Sequence, residues 1–274
     1  MRPLDVDVSV SSSACPGRAN EDFAAWNDQV AVVVDGAGMP AALRAPCIHG
    51  VSWFAEALGT SLCAAAGGGG SLQDALAGAI EHTARSHRHT CSIDDPLSPS
   101  ATLAMLRLRD DTIEWLVLGD CTLVVDRRGA VEAISDTRLE AVAQTERAAM
   151  KDAAPESAER QRLHTRLVEA ERACRNRPGG YWVAASEPRA AHASLHGTYS
   201  VSDVARAALL TDGAARLVST FALADWAECL NLLEEQGTAT LINRVRGAEL
   251  SDSALLRWPR SKLHDDATVA YIHP

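Results

Sequence analysis

Long apolar runs are missing from this sequence, and with them any membrane span. The N-terminus, MRPLDVDVSV, reaches acidic residues by position seven without an apolar core of signal length, so a cytoplasmic protein is expected. Basic residues are in deficit: 26 Lys and Arg against 36 Asp and Glu give a formal net charge of −10. Neither nucleic acid nor an anionic membrane is therefore expected as a main partner, because both need basic surface. Cysteine occurs seven times (Cys15, Cys47, Cys63, Cys91, Cys121, Cys174, Cys229) but never as C-x-x-C, and the odd, scattered set reads as reduced thiols. A Pro- or Ser-rich linker is also lacking, so one domain over residues 1–274 is expected. Aromatic residues make up only 4%, and the six tryptophans, spread evenly among apolar neighbours, read as core. The glycine motifs are incomplete. Gly67 to Gly70 lacks the Lys and Ser/Thr of a phosphate-binding loop, and Asp35-Gly36-Ala37-Gly38 lacks the third, helix-opening glycine of a dinucleotide fingerprint, with Met39-Pro40 blocking a helix there.

What is present is an alternation of strand-like and helix-like blocks, which predicts an α+β fold. LDVDVSVSSSA alternates at period two, and VAVVVDG reads as a buried strand. IHGVSWFAEALGTSLCAAA has helical spacing, with Ile48, Val51, Phe54, Ala55, Leu58 and Leu62 on one stripe. A second helix opens at Ser71 as cap, with Leu72, Leu76 and Ile80 inward. SATLAMLRLRDDTIEWLVLGDCTLVVDRRGAVEAI predicts three or four antiparallel strands joined by turns at Arg-Asp-Asp, Gly-Asp and Arg-Arg-Gly. From Thr137 to Arg177 the charged pattern predicts a solvated helical hairpin, broken at Pro155 and capped by Ser157. YWVAASE, YSVSDVARAALLTDGAA and ATVAYIHP supply further strands, and WAECLNLLEEQG a helix.

The aspartates fall in a pattern. Asp35, Asp120 and Asp212 each close a strand, Asp265 and Asp266 precede the last, and Glu21 and Asp22 precede the first of these. Any one Asp-Gly is explained by a turn, since Asp bonds its own backbone and Gly supplies positive φ. Jointly, oxygen-only carboxylates without His or Cys suit hard cations such as Mg²⁺ or Mn²⁺, and two such ions activate water for attack on phosphorus.

The ordered blocks RANEDF, VVVDGAG, PSATL with WLVLGD, LLTDG and DDATV resemble the signature of metal-dependent protein phosphatases of the protein phosphatase 2C type. The resemblance implies a four-layer α-β-β-α sandwich: two antiparallel sheets flanked by helices, with two Mn²⁺ or Mg²⁺ ions, and a weak third, at one rim. It implies hydrolysis of phosphoserine or phosphothreonine monoesters in a phosphorylated protein by a metal-bridging hydroxide, in a monomer. Glu21 resembles the ligand of the second metal, Asp35 the bridging aspartate, and Gly36 the glycine whose carbonyl reaches the second ion. Asp212 resembles the first-metal ligand, Asp265 the closing aspartate, and Asp120 the aspartate holding the third metal.

The departures are specific. The family's phosphate-gripping arginine lies four residues before the ligand glutamate; here Gly17 stands there, and Arg18, one place later, takes the role. Thr211 replaces a serine, Asp266 an asparagine, Cys121 a serine, and GAGMP a glycine-rich continuation. Two other readings follow: a catalytically weak binding or regulatory module of the same fold, motivated by the displaced arginine, and a phosphatase for a small phosphorylated metabolite. Elsewhere, His82, His87, His89 and Cys91 fit no standard zinc spacing and read as a polar helix end, where His and Arg favour the C-terminal dipole. His264 reads as a residue behind the ligands or on the surface, rather than as a proton donor.

Overall fold

The computed structural model describes residues 7–37, 47–153 and 157–273. Ten strands form two antiparallel sheets. The first sheet pairs β1 (Asp7–Ser13), β10 (Ala267–His273), β9 (Arg206–Leu210), β6 (Thr122–Arg127) and β7 (Ala130–Ile134) in that order. The second pairs β2 (Asp22–Trp26), β3 (Val30–Gly36), β4 (Ala101–Arg109), β5 (Thr112–Leu118) and β8 (Leu195–Ser200). Helices α1 (Gly50–Ala66) and α2 (Leu72–His87) cover the outer face of the second sheet, and α5 (Asp212–Ser219), α6 (Trp226–Gln236) and α7 (Thr238–Ser251) cover that of the first. The four-layer expectation is met.

Side-chain parity builds these layers. On β3, Val30, Val32 and Val34 pack under α1 and α2, whereas Ala31 and Val33 face the other sheet. The same division holds on β4, with Leu103 and Met105 outward and Ala104, Leu106 and Leu108 inward. Leu123, Val125, Leu209, Ala270 and Ile272 meet them from the first sheet. Residues at the strand ends inherit this parity. Asp35, Asp22 and Thr102 stand in register across β2, β3 and β4 on the inward face, where the core ends and the rim begins.

Several expectations change. The Gly-Asp turn after β5 is no hairpin: it carries the chain from one sheet to the other. Gly119 has φ +79°, and a Cβ there would lie 2.3 Å from Thr102 Cγ2, so the switch requires glycine. YWVAASE makes only isolated bridges, at Tyr181 and Ala184, because its backbone meets no full strand partner. α7 was not foreseen as a helix. Ile48 lies outside α1 and is 77% exposed, and Trp26 is 52% exposed, so neither joins the core. Met39-Pro40 and Pro155 fall outside the described residues. The helical hairpin is present as α3 (Gln144–Asp152) and α4 (Ala158–Ala173), with Ser157 Oγ accepting from Arg160 N at 3.0 Å. Ser71 caps α2 as expected. Among the described residues, no helix is long and apolar enough to cross a membrane.

Candidate metal centre

The rim between the sheets gathers carboxylates from both. Asp22 and Asp35 face each other across the β2–β3 pair. From the other sheet, the chain leaving β9 places Asp212 in the first turn of α5, with its backbone N–H directed at Asp35 Oδ2 at 3.4 Å. Thr211 Oγ1 donates to Asp22 Oδ2 at 2.8 Å and accepts from Thr268 N at 2.9 Å, which ties the two sheets together at this level. Replacing the family's serine by Thr211 therefore keeps a working hydroxyl.

The electrostatics are those of too many like charges in a half-dry place. Burial pushes the Asp22 carboxyl up to about 8, the charges of Asp212 and Asp266 add to it, and hydrogen bonds from Thr211 and Thr268 oppose it. Asp35 is held well above the usual range by burial and then by Asp22, Asp212, Asp120 and Asp265. Asp120, delivered by the Gly119 switch, rises to about 6 through burial and the charge of Asp212. Glu21 is raised by burial, with the Arg18 guanidinium pulling the other way. An all-oxygen donor set, in which burial raises the carboxyls of Glu21, Asp22, Asp35 and Asp120, has the chemistry that hard divalent cations prefer. Gly36 lies close against the Glu21 backbone: a Cβ there would lie 2.4 Å from the Glu21 carbonyl oxygen, to which Gly36 N donates at 3.1 Å.

Two protein cations already reach into this cluster. Asp265 accepts from Arg216 Nη2 at 2.6 Å and from Lys262 Nζ at 3.0 Å. Lys262 is itself exposed, and the carboxylates of Asp265, Asp212 and Asp35 overcome the partial desolvation of its ammonium and raise it above the ordinary lysine range. Behind Asp265, Arg216 Nη1 bonds Glu249 on α7, which is fully buried and also accepts from Arg246 Nη1 at 2.8 Å. His264 Nδ1 lies 2.8 Å from the same Glu249, behind Asp265. Asp266 turns the other way: it accepts from Cys15 N at 2.6 Å and Glu21 N at 2.9 Å, and so brackets the loop that carries Glu21 and Arg18. Arg18 is exposed on a turn closed by Arg18 N to Cys15 O at 3.1 Å.

The structure thus brings Glu21, Asp35, Gly36, Asp120, Asp212 and Asp265 to one rim, with Arg18 at its margin. The residues not foreseen in a role are Arg216, Glu249 and Lys262; Asp22 was counted among the strand-end carboxylates without a specific part. Asp22 was signalled by its place beside Glu21 at a strand start; Arg216, Glu249 and Lys262 carried no local signal, because their meaning depends on contacts made across the fold.

The fold is thus a sandwich of two stacked antiparallel sheets with acidic residues from both gathered at one rim. The family model for protein phosphatase 2C matches residues 15–251, and the chain belongs to that family. No curated protein matches its sequence. In fold it is similar to the serine/threonine phosphatase PstP/Ppp of Mycobacterium tuberculosis, at 16% identity and TM-score 0.56, over 98% of this chain and 99% of that one. It is similar to the serine/threonine phosphatase Stp1 of Staphylococcus aureus at 13% identity and TM-score 0.56, over 100% and 98%. A third similar structure, at 17% identity, TM-score 0.53 and coverage of 98% and 97%, is the catalytic domain of serine threonine protein phosphatase PstP in complex with two manganese ions.

Proposed function

We propose that this protein is a metal-dependent phosphatase for phosphoserine and phosphothreonine monoesters. The observation that carries the reading is the convergence of Asp22 and Asp35 from one sheet with Asp212 from the other, raised carboxyls included. Asp35, Asp212, Asp265, Glu21 and the Gly36 carbonyl would hold two Mn²⁺ or Mg²⁺ ions, and Asp120 a weaker third. When bound, such ions activate water at neutral pH and neutralise charge building on the phosphoryl oxygens.

The chain's own residues do the rest. Arg18, an exposed cation at the open margin, would orient the phosphate with its fork of N–H donors. Arg216, anchored by Glu249, fixes the Asp265 carboxylate from behind. Asp266 and Arg246 hold the loop on which Glu21 and Arg18 ride, the latter through Nη2 to Ser13 O at 2.8 Å. The test is hydrolysis of para-nitrophenyl phosphate and of phosphopeptides with added Mn²⁺. Asp35→Asn and Asp212→Asn should each lower kcat by at least about 100-fold, the scale of removing a group essential to charge stabilisation. Turnover that ignores Mn²⁺, or survives Asp35→Asn, sinks the assignment.

A second reading is favoured by a separate observation: Asp265 is already paired with Arg216 and Lys262, and Arg18 sits one place late. A regulatory module that retains the fold but turns over slowly fits that pairing. Manganese binding by calorimetry without hydrolysis of any phosphopeptide or small phosphorylated metabolite would select it.

A further inference from the structure

Far from the carboxylates, the chain entering α1 meets the end of α2. Cys47 and His49 stand just before α1; His87 is the last residue of α2, and Cys91 follows one turn later. Their four ligating atoms all lie within 4.8 Å of one another, the only such group of His, Cys, Asp and Glu among the described residues. Cys47 Sγ is 3.2 Å from Cys91 Sγ and 3.7 Å from His87 Nδ1, and His49 Nδ1 is 3.3 Å from Cys91 Sγ. Tetrahedral ligation at Zn–S ~2.3 Å and Zn–N ~2.05 Å separates ligand atoms by roughly 3.3–3.8 Å. We propose that Cys47, His49, His87 and Cys91 form a structural zinc site.

The surroundings support a metal over a thiol pair alone. A cysteine pair forming a disulfide has no use for imidazoles, yet here a ring nitrogen faces each sulfur. His87 and Cys91 are buried, and Trp53 stacks on His49 at 4.3 Å and lies 5.1 Å from His87, fixing both rings. Two thiolates neutralise Zn²⁺ as the two thiol protons leave to solvent, so the filled site is uncharged. Four protein ligands leave no open position for substrate, which makes the site structural. Its effect is to clasp the two helices that cover the second sheet. Val51, in the first turn of α1, would be 2.5 Å from a Cβ at Gly36, so the clasp backs the strand end that carries Asp35. The sequence concealed the site because its ligands come as Cys-x-His and His-x3-Cys pairs 40 residues apart, and His82 and His89 beside them take no part.

The test uses the full chain, purified under reducing conditions in metal-free buffer. Elemental analysis should find about one zinc per chain, retained in Asp35→Asn and reduced at least about tenfold in Cys47→Ser and in His49→Ala, whose ligands lie on the more open side. Cobalt substitution should give the intense visible bands of a tetrahedral thiolate complex, lost in the same two variants. The proposal is overturned by wild-type protein that carries no zinc with its thiols free. It is also overturned by a Cys47–Cys91 disulfide without metal, or by zinc that leaves with Asp35→Asn yet stays in Cys47→Ser.

Discussion

At the scale of a residue, Asp22 shows what the carboxylate rim costs. It is buried opposite Asp35, accepts a bond from Thr211, and lies within reach of the Asp212 and Asp266 charges. Its carboxyl holds a proton up to about pH 8 in the folded protein, whereas in the unfolded chain it ionises as an ordinary aspartate. Between roughly pH 4 and 8 the native state therefore binds more protons than the unfolded state, and stability must fall as pH rises through that window. Asp35 and Asp120, both raised, push in the same direction. In protein stripped of divalent cations, the urea midpoint should decline steadily from about pH 5 to pH 8, and Asp22→Asn should flatten the decline. A midpoint that rises over this range would show that the carboxylates are ionised and compensated in the metal-free fold.

At the scale of elements, α7 matters more than its sequence signals. Its apolar residues Leu241, Ile242, Val245 and Ala248 pack on the first sheet, but Gly247 and the charged residues among them blur the helical stripe. Glu249 is fully buried between Arg216, Arg246 and His264, so α7 holds α5 and the Asp265 end of β10 together. Glu249→Gln leaves the buried Arg216 and half-buried Arg246 guanidinium groups short of their anion and should cost about 3–5 kcal/mol of unfolding free energy by urea titration. A loss below about 1 kcal/mol would mean that these arginines are satisfied elsewhere. The strands themselves were largely legible. Period-two alternation and buried valine runs mark β1, β3, β4 and β10, because burial on one or both faces writes itself into consecutive residues. The sheet switch at Gly119 was not legible, since Gly-Asp after a strand has the same local chemistry whether the chain folds back or crosses over.

At the scale of the whole molecule, Glu21, Asp22 and Asp35 are separated from Asp212 and Asp265 by most of the chain, and only the stacking of two sheets unites them. The acidic rim was legible as an ordered series of strand-end carboxylates, while the cations that answer it were not, because Arg216 and Lys262 acquire their partners from tertiary contact alone. Metal at this rim would join one sheet to the other, so its binding energy should appear as stability of the whole fold. A cation at about 100 times its dissociation constant adds about 2.7 kcal/mol per site, which for a chain of this size raises Tm by roughly 5–10 °C. Mn²⁺ should produce a shift of that order in the wild type and little in Asp35→Asn, which removes the carboxylate proposed to hold both ions. Cys47→Ser, by contrast, should start from a lower Tm and still respond to Mn²⁺, because its defect lies in the helical clasp and leaves the rim intact. Thermal denaturation with and without Mn²⁺ across these three proteins separates the two sites, and an equal response in the wild type and Asp35→Asn would remove the rim as the place where manganese binds.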